Sequence, residues 1–181
     1  SSELLDIAES EVFKIHEGRL RDEGPVAIVP LLARAVEKIE SLFASRNPIT
    51  GLATGFDDLD KKTAGLQSSD LIIVAARPGM GKTAFTLALA KNAALNHKRP
   101  VAFFSLEMSA LQLTHRLLSM VAEIPGSKLR NAQMEDYEWQ QLNTVVNQFN
   151  SVPIYIDDTP AINIFELRAK CRRLKMHHDI S

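Results

Sequence analysis

A short glycine-bearing stretch, residues 75–83, has the residue types and spacing that could bind phosphate. Its sequence is Ala-Ala-Arg-Pro-Gly-Met-Gly-Lys-Thr, and it lies between an apolar run at 71–74 and a helical pattern at 84–90. Gly79 and Gly81 would let the backbone turn its N–H groups toward phosphate oxygens. The dipole of the following helix would add positive potential. Strand, loop and helix in this order are the context that a phosphate-binding loop (P-loop) requires.

Lys82 and Thr83 are the side chains of this stretch that phosphate chemistry needs most. Lys82 would reach the β- and γ-phosphates of a nucleoside triphosphate, and the Thr83 hydroxyl would ligate Mg²⁺. Ala76 stands where the motif usually has its first glycine, and a small residue can suffice there. An ordinary strand–loop–helix crossover is the alternative, and the agreement of all these features argues against it. The predicted nucleotide-binding residues are Ala76, Arg77, Pro78, Gly79, Met80, Gly81, Lys82 and Thr83.

Glu107 is a second candidate for chemistry, because it follows the apolar run at 101–104. Ligands of open α/β sheets bind at the carboxyl ends of strands, so Glu107 would lie at the edge where the P-loop also opens. A carboxylate there can orient and deprotonate the water that attacks a γ-phosphate. Alternatively, Glu107 complements the dipole of the next helix, whose start is marked by a capping box of Ser109 and Gln112. The residues alone leave the two interpretations equal.

The composition of the chain limits its class. The 181 residues are 45% hydrophobic with a formal net charge of −1, which suits one globular core. This charge argues against a uniformly basic nucleic-acid binder, although a local basic face remains compatible with it. The single cysteine, Cys171, excludes an internal disulfide framework and suits a reducing cytosol. No apolar run approaches the ~20 residues of a membrane helix and no signal peptide opens the chain, so we expect no membrane association.

The order of the predicted elements indicates an α/β fold with a mostly parallel sheet flanked by helices. Strands are predicted at 71–75, 101–104 and 153–156. Helices are predicted at 2–17, 27–44, 54–60, 84–97, 110–123 and 135–149, and a last helix begins near Asn163 with Glu166 completing its cap. The side chains predicted to face inward are Phe56, Leu59, Leu111, Thr114, Leu117, Leu118, Val121, Trp139, Leu142, Val146, Phe149, Ile164, Leu167, Cys171 and Leu174.

The helix predicted at 27–44 carries a long apolar stripe between two polar linkers. The helix either folds back on its own domain or docks on a neighbouring subunit, and an exposed stripe of this size is unfavourable in a monomer. The sequence alone leaves these interpretations nearly even. The stripe consists of Ile28, Leu31, Leu32, Ala35, Ile39, Leu42 and Phe43.

Two groups of charged residues also have competing interpretations. Asp157 and Asp158 end the third predicted strand, where a turn is favoured over a Mg²⁺ site. Arg168, Arg172 and Lys175 share one face of the last helix. A solvated face is the default interpretation for them, and contact with DNA or phosphate is the alternative.

Several segments together resemble the replicative DNA helicases of the DnaB type, in order and in spacing. The segments are 54–60, 65–66, 71–83, 104–108 and 154–158. The resemblance implies a RecA-like P-loop ATPase core, incomplete in this chain, at 51–181 and a helical linker region at 1–50. It implies ATP and Mg²⁺ as cofactors. It also implies that Glu107 is the catalytic base and that Lys82 is a second catalytic residue. It also favours docking of the helix at 27–44 on the adjacent subunit of a homo-hexameric ring.

The resemblance further implies 5′-to-3′ translocation on single-stranded DNA and unwinding at the replication fork. Primase and a helicase loader would be partners, and the location would be cytoplasmic, at the nucleoid. The family continues with a Walker B strand, DNA-binding loops and an arginine finger, so we expect this chain alone to hydrolyse little ATP and to unwind no DNA. The alternatives are a nucleotide-responsive oligomerisation module without turnover and another RecA-like ATPase. The Arg77-Pro78 pair and the segment 105–108 argue against the latter.

Overall fold

The structure is a computed structural model that describes residues 25–45, 48–178 and 180. The helix predicted at 2–17 lies outside these described residues. The chain divides into two compact units, Ser1–Asn47 and Pro48–Ser181. Within the described ranges, no helix combines the length and the apolar character that crossing a membrane requires.

One described helix belongs to the first unit, α1 (Ile28–Ser45). Its bounds confirm the helix predicted at 27–44. Pro30 lies in its first turn, where a missing backbone N–H breaks no helical hydrogen bond. The apolar stripe of α1 is largely accessible, since Ile39 is 64% exposed and Phe43 is 88% exposed. The helix therefore carries a large amount of accessible apolar surface.

The second unit packs helices around a two-stranded sheet. β1 pairs with β2 in parallel, with Val101 opposite Ile154 and Phe104 opposite Asp157. The predicted α/β class is confirmed. The elements are α2 (Asp57–Thr63), α3 (Lys82–Lys91) with a π-helical turn (Asn92–Asn96), β1 (Val101–Phe104), α4 (Ala110–Ala122), α5 (Gly126–Asn131), α6 (Asp136–Phe149), β2 (Ile154–Asp157) and α7 (Ile164–His178).

The strand predicted at 71–75 is not formed, and that prediction is wrong for this chain. Residues 71–77 have no regular secondary structure, and Leu71 and Ile73 are 88% and 80% exposed. A strand needs a neighbour whose backbone groups complete its hydrogen-bond ladder. The sheet contains only β1 and β2 in the part of the chain that the structure describes, and neither pairs with this segment. The apolar run therefore leads into the P-loop without joining a sheet.

Among the described residues, the hydrophobic core of the second unit contains two clusters between α3, α4 and α6. Leu87, Leu113 and Leu117 form the first, and Phe103 and Ile156 of the sheet pack against it. The second cluster lies at the other end of α4, where Phe149 links it to the first. Its buried members are Ala122, Ile124 and Val145.

Several side chains predicted to face inward are instead exposed. On α4, Leu113 is buried while Leu111 is 67% exposed, and on α6 Val146 is 43% exposed. Each helix carries apolar residues on two adjacent stripes, so more than one rotation about its axis would bury apolar surface. The other exposed residues of this set are Phe56, Thr114, Trp139, Ile164 and Cys171.

The predicted helix starts are confirmed by their hydrogen bonds. The Gln112 N–H donates to Ser109 Oγ at 3.3 Å, and the Ser109 N–H donates to Gln112 Oε1 at 3.1 Å. At the start of α7, the Glu166 N–H donates to Asn163 Oδ1 at 2.9 Å. Each bond satisfies a backbone group that a helix end leaves without an internal partner.

A buried carboxylate fastens the start of the second unit. Asp60, only 5% exposed, accepts from the Thr54 N–H at 2.9 Å and from the Thr54 hydroxyl at 2.8 Å. Asn92 Nδ2 in turn donates to the Thr54 carbonyl at 2.7 Å, which joins this corner to the end of α3. Burial would raise the pKa of Asp60, but the hydrogen bonds from Thr54 and Gly55 outweigh burial and hold it below its usual value. Phe56, predicted to face inward, is 37% exposed and stacks on Phe85.

Candidate functional site

The P-loop turn owes its shape to two glycines with positive φ. Gly79 has φ of 78° and Gly81 has φ of 86°, a conformation that side chains with a Cβ rarely adopt. A Cβ added at either position would meet no atom within 4 Å, so the backbone angle and not crowding requires glycine here. The Met80 N–H donates to the Arg77 carbonyl at 3.2 Å and closes the turn. The loop is therefore open on its outer side.

The N-terminus of α3 emerges directly from this turn. Gly81 is the residue before the helix, no side chain caps it, and the first turn contains no acidic residue. The helix hydrogen-bond ladder begins with the Phe85 N–H donating to the Gly81 carbonyl at 2.9 Å. The N–H groups of the first turn and the positive end of the helix dipole are thus available to an anion.

A cleft of about 390 Å³ joins the start of α3 to the carboxyl end of β1. Lys82 and Thr83 line it from α3, and Glu107 lines it from the loop that follows β1. Ile72 and Val74 line it from the segment before the P-loop. The cleft thus brings together a lysine, a hydroxyl and a carboxylate, whereas the predicted residues 76–81 lie outside its lining.

The loop that carries Glu107 is closed by its own hydrogen bonds. Ser105 Oγ donates to the Met108 carbonyl at 2.7 Å and accepts from the Met108 N–H at 3.1 Å. These two bonds hold Leu106 and Glu107 in a tight turn between β1 and α4. The Glu107 side chain itself is exposed to the cleft and to solvent. A carboxylate that is accessible on a fixed turn can meet a substrate without first breaking internal contacts.

The two aspartates at the end of β2 both bind other groups of the protein. Asp157 Oδ2 lies 2.7 Å from Lys170 Nζ, and the Asp157 Oδ1 accepts from the Thr159 N–H at 3.0 Å. The hydrogen bond from Lys170, with those from Thr159, lowers the pKa of Asp157 to about 2. Asp158 Oδ2 accepts from the Ala110 N–H at 2.7 Å. These contacts support the turn interpretation of the pair.

The basic residues predicted to share one face of the last helix do not line the cleft. Arg168, Arg172 and Lys175 are exposed on α7, and none of them lines it. Among the described residues, no group of three or more His, Cys, Asp or Glu side chains is arranged to hold a metal ion.

Sequence reasoning missed the groups that hold the Glu107 loop in place. Ser105 carries no sequence signal beyond its place in the segment 105–108, and no motif singles out Lys170. The spacing of Glu166 and Lys170 on α7 is the one local signal, since residues four apart on a helix can pair, and their side chains lie 3.4 Å apart. No comparable signal connects Lys170 to Asp157 or Asp158 to Ala110.

The sequence of residues 51–181 matches the model of the family described as DnaB-like helicase C terminal domain. A relative called replicative DNA helicase DnaB, from Buchnera aphidicola subsp. Schizaphis graminum, is 45% identical over 177 residues. The alignment covers 96% of this chain and 38% of that relative. The chain thus spans about two fifths of the length of the curated relatives it matches.

Two solved structures are similar to this chain over most of its length. One, an ATPase domain, has a TM-score of 0.77 at 30% identity and covers 84% of this chain and 53% of its own. The other is described as a DnaB-like replicative helicase and its interactions with primase. It has a TM-score of 0.73 at 31% identity and covers 93% of this chain and 40% of its own. The second unit therefore has the fold of a RecA-like helicase ATPase domain, incomplete in this chain.

Proposed function

Because this chain belongs to the DnaB-like helicase family, we propose that it forms the nucleotide-binding part of an ATP-dependent replicative DNA helicase. The observation that carries the proposal is that Lys82, Thr83 and Glu107 line the same cleft. A lysine and a helix N-terminus bind phosphate, and a carboxylate opposite them can act on water. Simple binding of a nucleotide would not need the carboxylate.

In this proposal, the triphosphate of ATP lies against the start of α3. The N–H groups of the glycine turn and Lys82 would hold its β- and γ-phosphates. The Thr83 hydroxyl makes no hydrogen bond to another described residue, so it fits the role of a Mg²⁺ ligand. Mg²⁺ supplies charge neutralisation of the phosphate oxygens when it is bound. Residues 76–81 would contribute through the backbone of the loop.

Glu107 would serve as the general base. It would accept a proton from a water molecule as the water oxygen bonds to the γ-phosphorus and the bond to ADP breaks. The products are ADP and phosphate, and the proton leaves from Glu107 afterwards. The exposure of Glu107 and the closed turn that carries it support this role.

Assembly and partners are part of the same proposal. The accessible apolar stripe of α1 supports docking on an adjacent subunit of a homo-hexamer. Single-stranded DNA would be the track along which hydrolysis drives 5′-to-3′ movement in the cytoplasm, at the nucleoid. The solved relative whose description names interactions with primase supports primase as a partner. A helicase loader completes the set that family membership favours.

The test is a pair of substitutions in the full-length protein. Glu107→Gln should keep ATP binding and lower the rate of hydrolysis about 10²- to 10⁴-fold, the usual contribution of a general base. Lys82→Ala should weaken ATP binding. Glu123→Gln, which neutralises an exposed carboxylate just after α4, is the matched control and should keep the wild-type rate.

Steady-state hydrolysis and equilibrium binding of a fluorescent ATP analogue separate the outcomes. Hydrolysis by Glu107→Gln at the wild-type rate would remove Glu107 from the mechanism. Nucleotide-dependent assembly of the wild-type protein without any hydrolysis would favour the oligomerisation module instead of the motor.

A further inference from the structure

We propose that Asp158 is a positioning residue for Glu107. Its carboxylate, just past β2, holds the start of α4 and thereby fixes the loop on which Glu107 lies. The inference rests on the proposed function, in which Glu107 is the general base of ATP hydrolysis. It concerns how the base is held, which the motifs of the P-loop do not address.

The Glu107 loop is tied to the neighbouring strand at both of its ends. At its start, the Ser105 N–H donates to the Asp157 carbonyl at 2.9 Å and continues the pairing of β1 with β2. At its end, the Ala110 N–H donates to Asp158 Oδ2 at 2.7 Å, across a sequence separation of 48 residues. Both ties reach consecutive residues of one segment. The loop between them therefore has little freedom to move relative to the sheet.

The bond from Asp158 is not required to cap α4. The helix has its own capping box, in which Ser109 and Gln112 satisfy each other's backbone N–H groups. Those bonds lie within the first turn, so they would move with the helix if it shifted. The contact to Ala110 is different because it links the helix to β2. A negative charge at this position is also favoured by the helix dipole.

The segment that carries Asp158 is itself held rigidly. Asp157 pairs with Lys170 of α7 at 2.7 Å, and Lys170 Nζ also donates to Thr159 Oγ1 at 2.6 Å. The residues on both sides of Asp158 are thereby fixed to α7. Through its bond to Ala110, Asp158 thus connects this fixed segment to the loop that carries Glu107.

Loss of this tie should affect turnover and not nucleotide binding. Lys82 and Thr83 line the cleft from α3, whereas the hydrogen bond of Asp158 is to the start of α4. Misplacement of a reacting group by about 1 Å can cost about 10²-fold in rate. Because the Ser105 bonds would remain, we expect Asp158→Ala to lower kcat about 10-fold and to leave KM for ATP within about twofold.

The experiment compares four variants of the full-length protein by steady-state ATP hydrolysis. Asp158→Ala removes the tie, while Asp158→Asn keeps an acceptor oxygen and should retain most of kcat. Ser109→Ala removes the local cap of the same helix without touching the tie, and it should keep kcat. Glu107→Gln reports whether the base is needed at all. Hydrogen exchange of the Ala110 amide, expected to become faster in Asp158→Ala alone, confirms that the tie was broken.

The possible results distinguish the inference from the proposed function. Selective loss of kcat in Asp158→Ala, with rescue by asparagine, supports positioning. An equal loss in Ser109→Ala would mean that stability of α4 alone matters, and it would overturn the inference. Wild-type kcat in Asp158→Ala, together with an inactive Glu107→Gln, would overturn the inference and leave the proposed function intact. Full activity of Glu107→Gln would refute both.

Discussion

Substitution of Asp60 by alanine should destabilise the second unit strongly. Aspartate is usually found on protein surfaces, but Asp60 is buried on the short helix α2. The carboxylate accepts from the N–H and the hydroxyl of Thr54, a residue that is only 1% exposed. Removing it leaves two buried donors without a partner, each at a cost of about 1–3 kcal/mol. Gly55 also donates to Asp60, but its N–H is partly exposed and can form a hydrogen bond with water instead. We therefore expect the free energy of unfolding to fall by about 4 kcal/mol.

Urea unfolding followed by circular dichroism measures this loss as a lower midpoint at unchanged slope. Asp58→Ala is the matched control on the same helix, because its side chain is 96% exposed and pairs with Lys61 at 3.3 Å. An exposed pair of this kind should contribute less than about 1 kcal/mol. If Asp60→Ala and Asp58→Ala were equally mild, the argument that Thr54 depends on a buried carboxylate would be wrong.

The same carboxylate predicts a dependence on pH. Its pKa is held below the unfolded value, so the stability that it contributes is present above the unfolded pKa of about 3.9. This stability is lost as the pH falls through the folded pKa. Wild-type protein should therefore lose more stability on acidification than Asp60→Asn, which cannot titrate at this position. Equal acid sensitivity of the two proteins would contradict the assignment.

Two further predictions concern α7 and the core. Because the pKa of Asp157 is about 2, the stability from its pair with Lys170 should be present at neutral pH and lost as the pH falls from about 4 toward about 2. In Lys170→Met, thermal unfolding should show a smaller loss of stability over this pH range than in the wild-type protein. The same pH dependence in both proteins would argue against the pair. Leu113→Ala should lower the free energy of unfolding by about 2–5 kcal/mol, because Leu113 is fully buried. Leu111→Ala, at a 67% exposed position of the same helix, should lower the free energy of unfolding by less than about 1 kcal/mol. Equal losses in the two variants would mean that the buried face of α4 is assigned incorrectly.

Local signals predicted the helix starts well. The bonds of Ser109 with Gln112 and of Asn163 with Glu166 form between residues three apart, so they depend on little beyond the immediate sequence. The strands β1 and β2 were equally accessible to prediction, because each is a short apolar run between turns. The helix α5 was missed, since its six residues carry no periodic apolar pattern.

Which side of a helix is buried could not be predicted from the pattern alone. Leu111 and Leu113 are both leucines on α4, and Leu113 is the one that packs in the core, with Leu87 of α3 and the sheet residue Phe103. Glu138 shows the opposite case, because a glutamate is 5% exposed on α6. Lys128 donates to it at 2.7 Å, and this hydrogen bond lowers the pKa of Glu138. The partner comes from α5, which the sequence reasoning had not placed.

The types and order of residues were sufficient to identify the candidates of the site. Lys82, Thr83 and Glu107 line one cleft, although their roles in it stay predictions. The failure at 71–75 has a different cause. A pattern of apolar residues predicts what can form a strand, but a ladder also needs a neighbouring strand, and that is a property of the assembled sheet.

The contact between Asn92 and Thr54 has a mechanical consequence. It spans 38 residues and closes the chain from Thr54 to Asn92 into a loop that contains the whole P-loop. Tension that arrives along the backbone at Thr54 is therefore shared with Asn92 at the far end of α3 and with Asp60 on α2. Force applied through the preceding segment would therefore act on the C-terminal end of α3 before it stretched the glycine turn at Gly79 and Gly81.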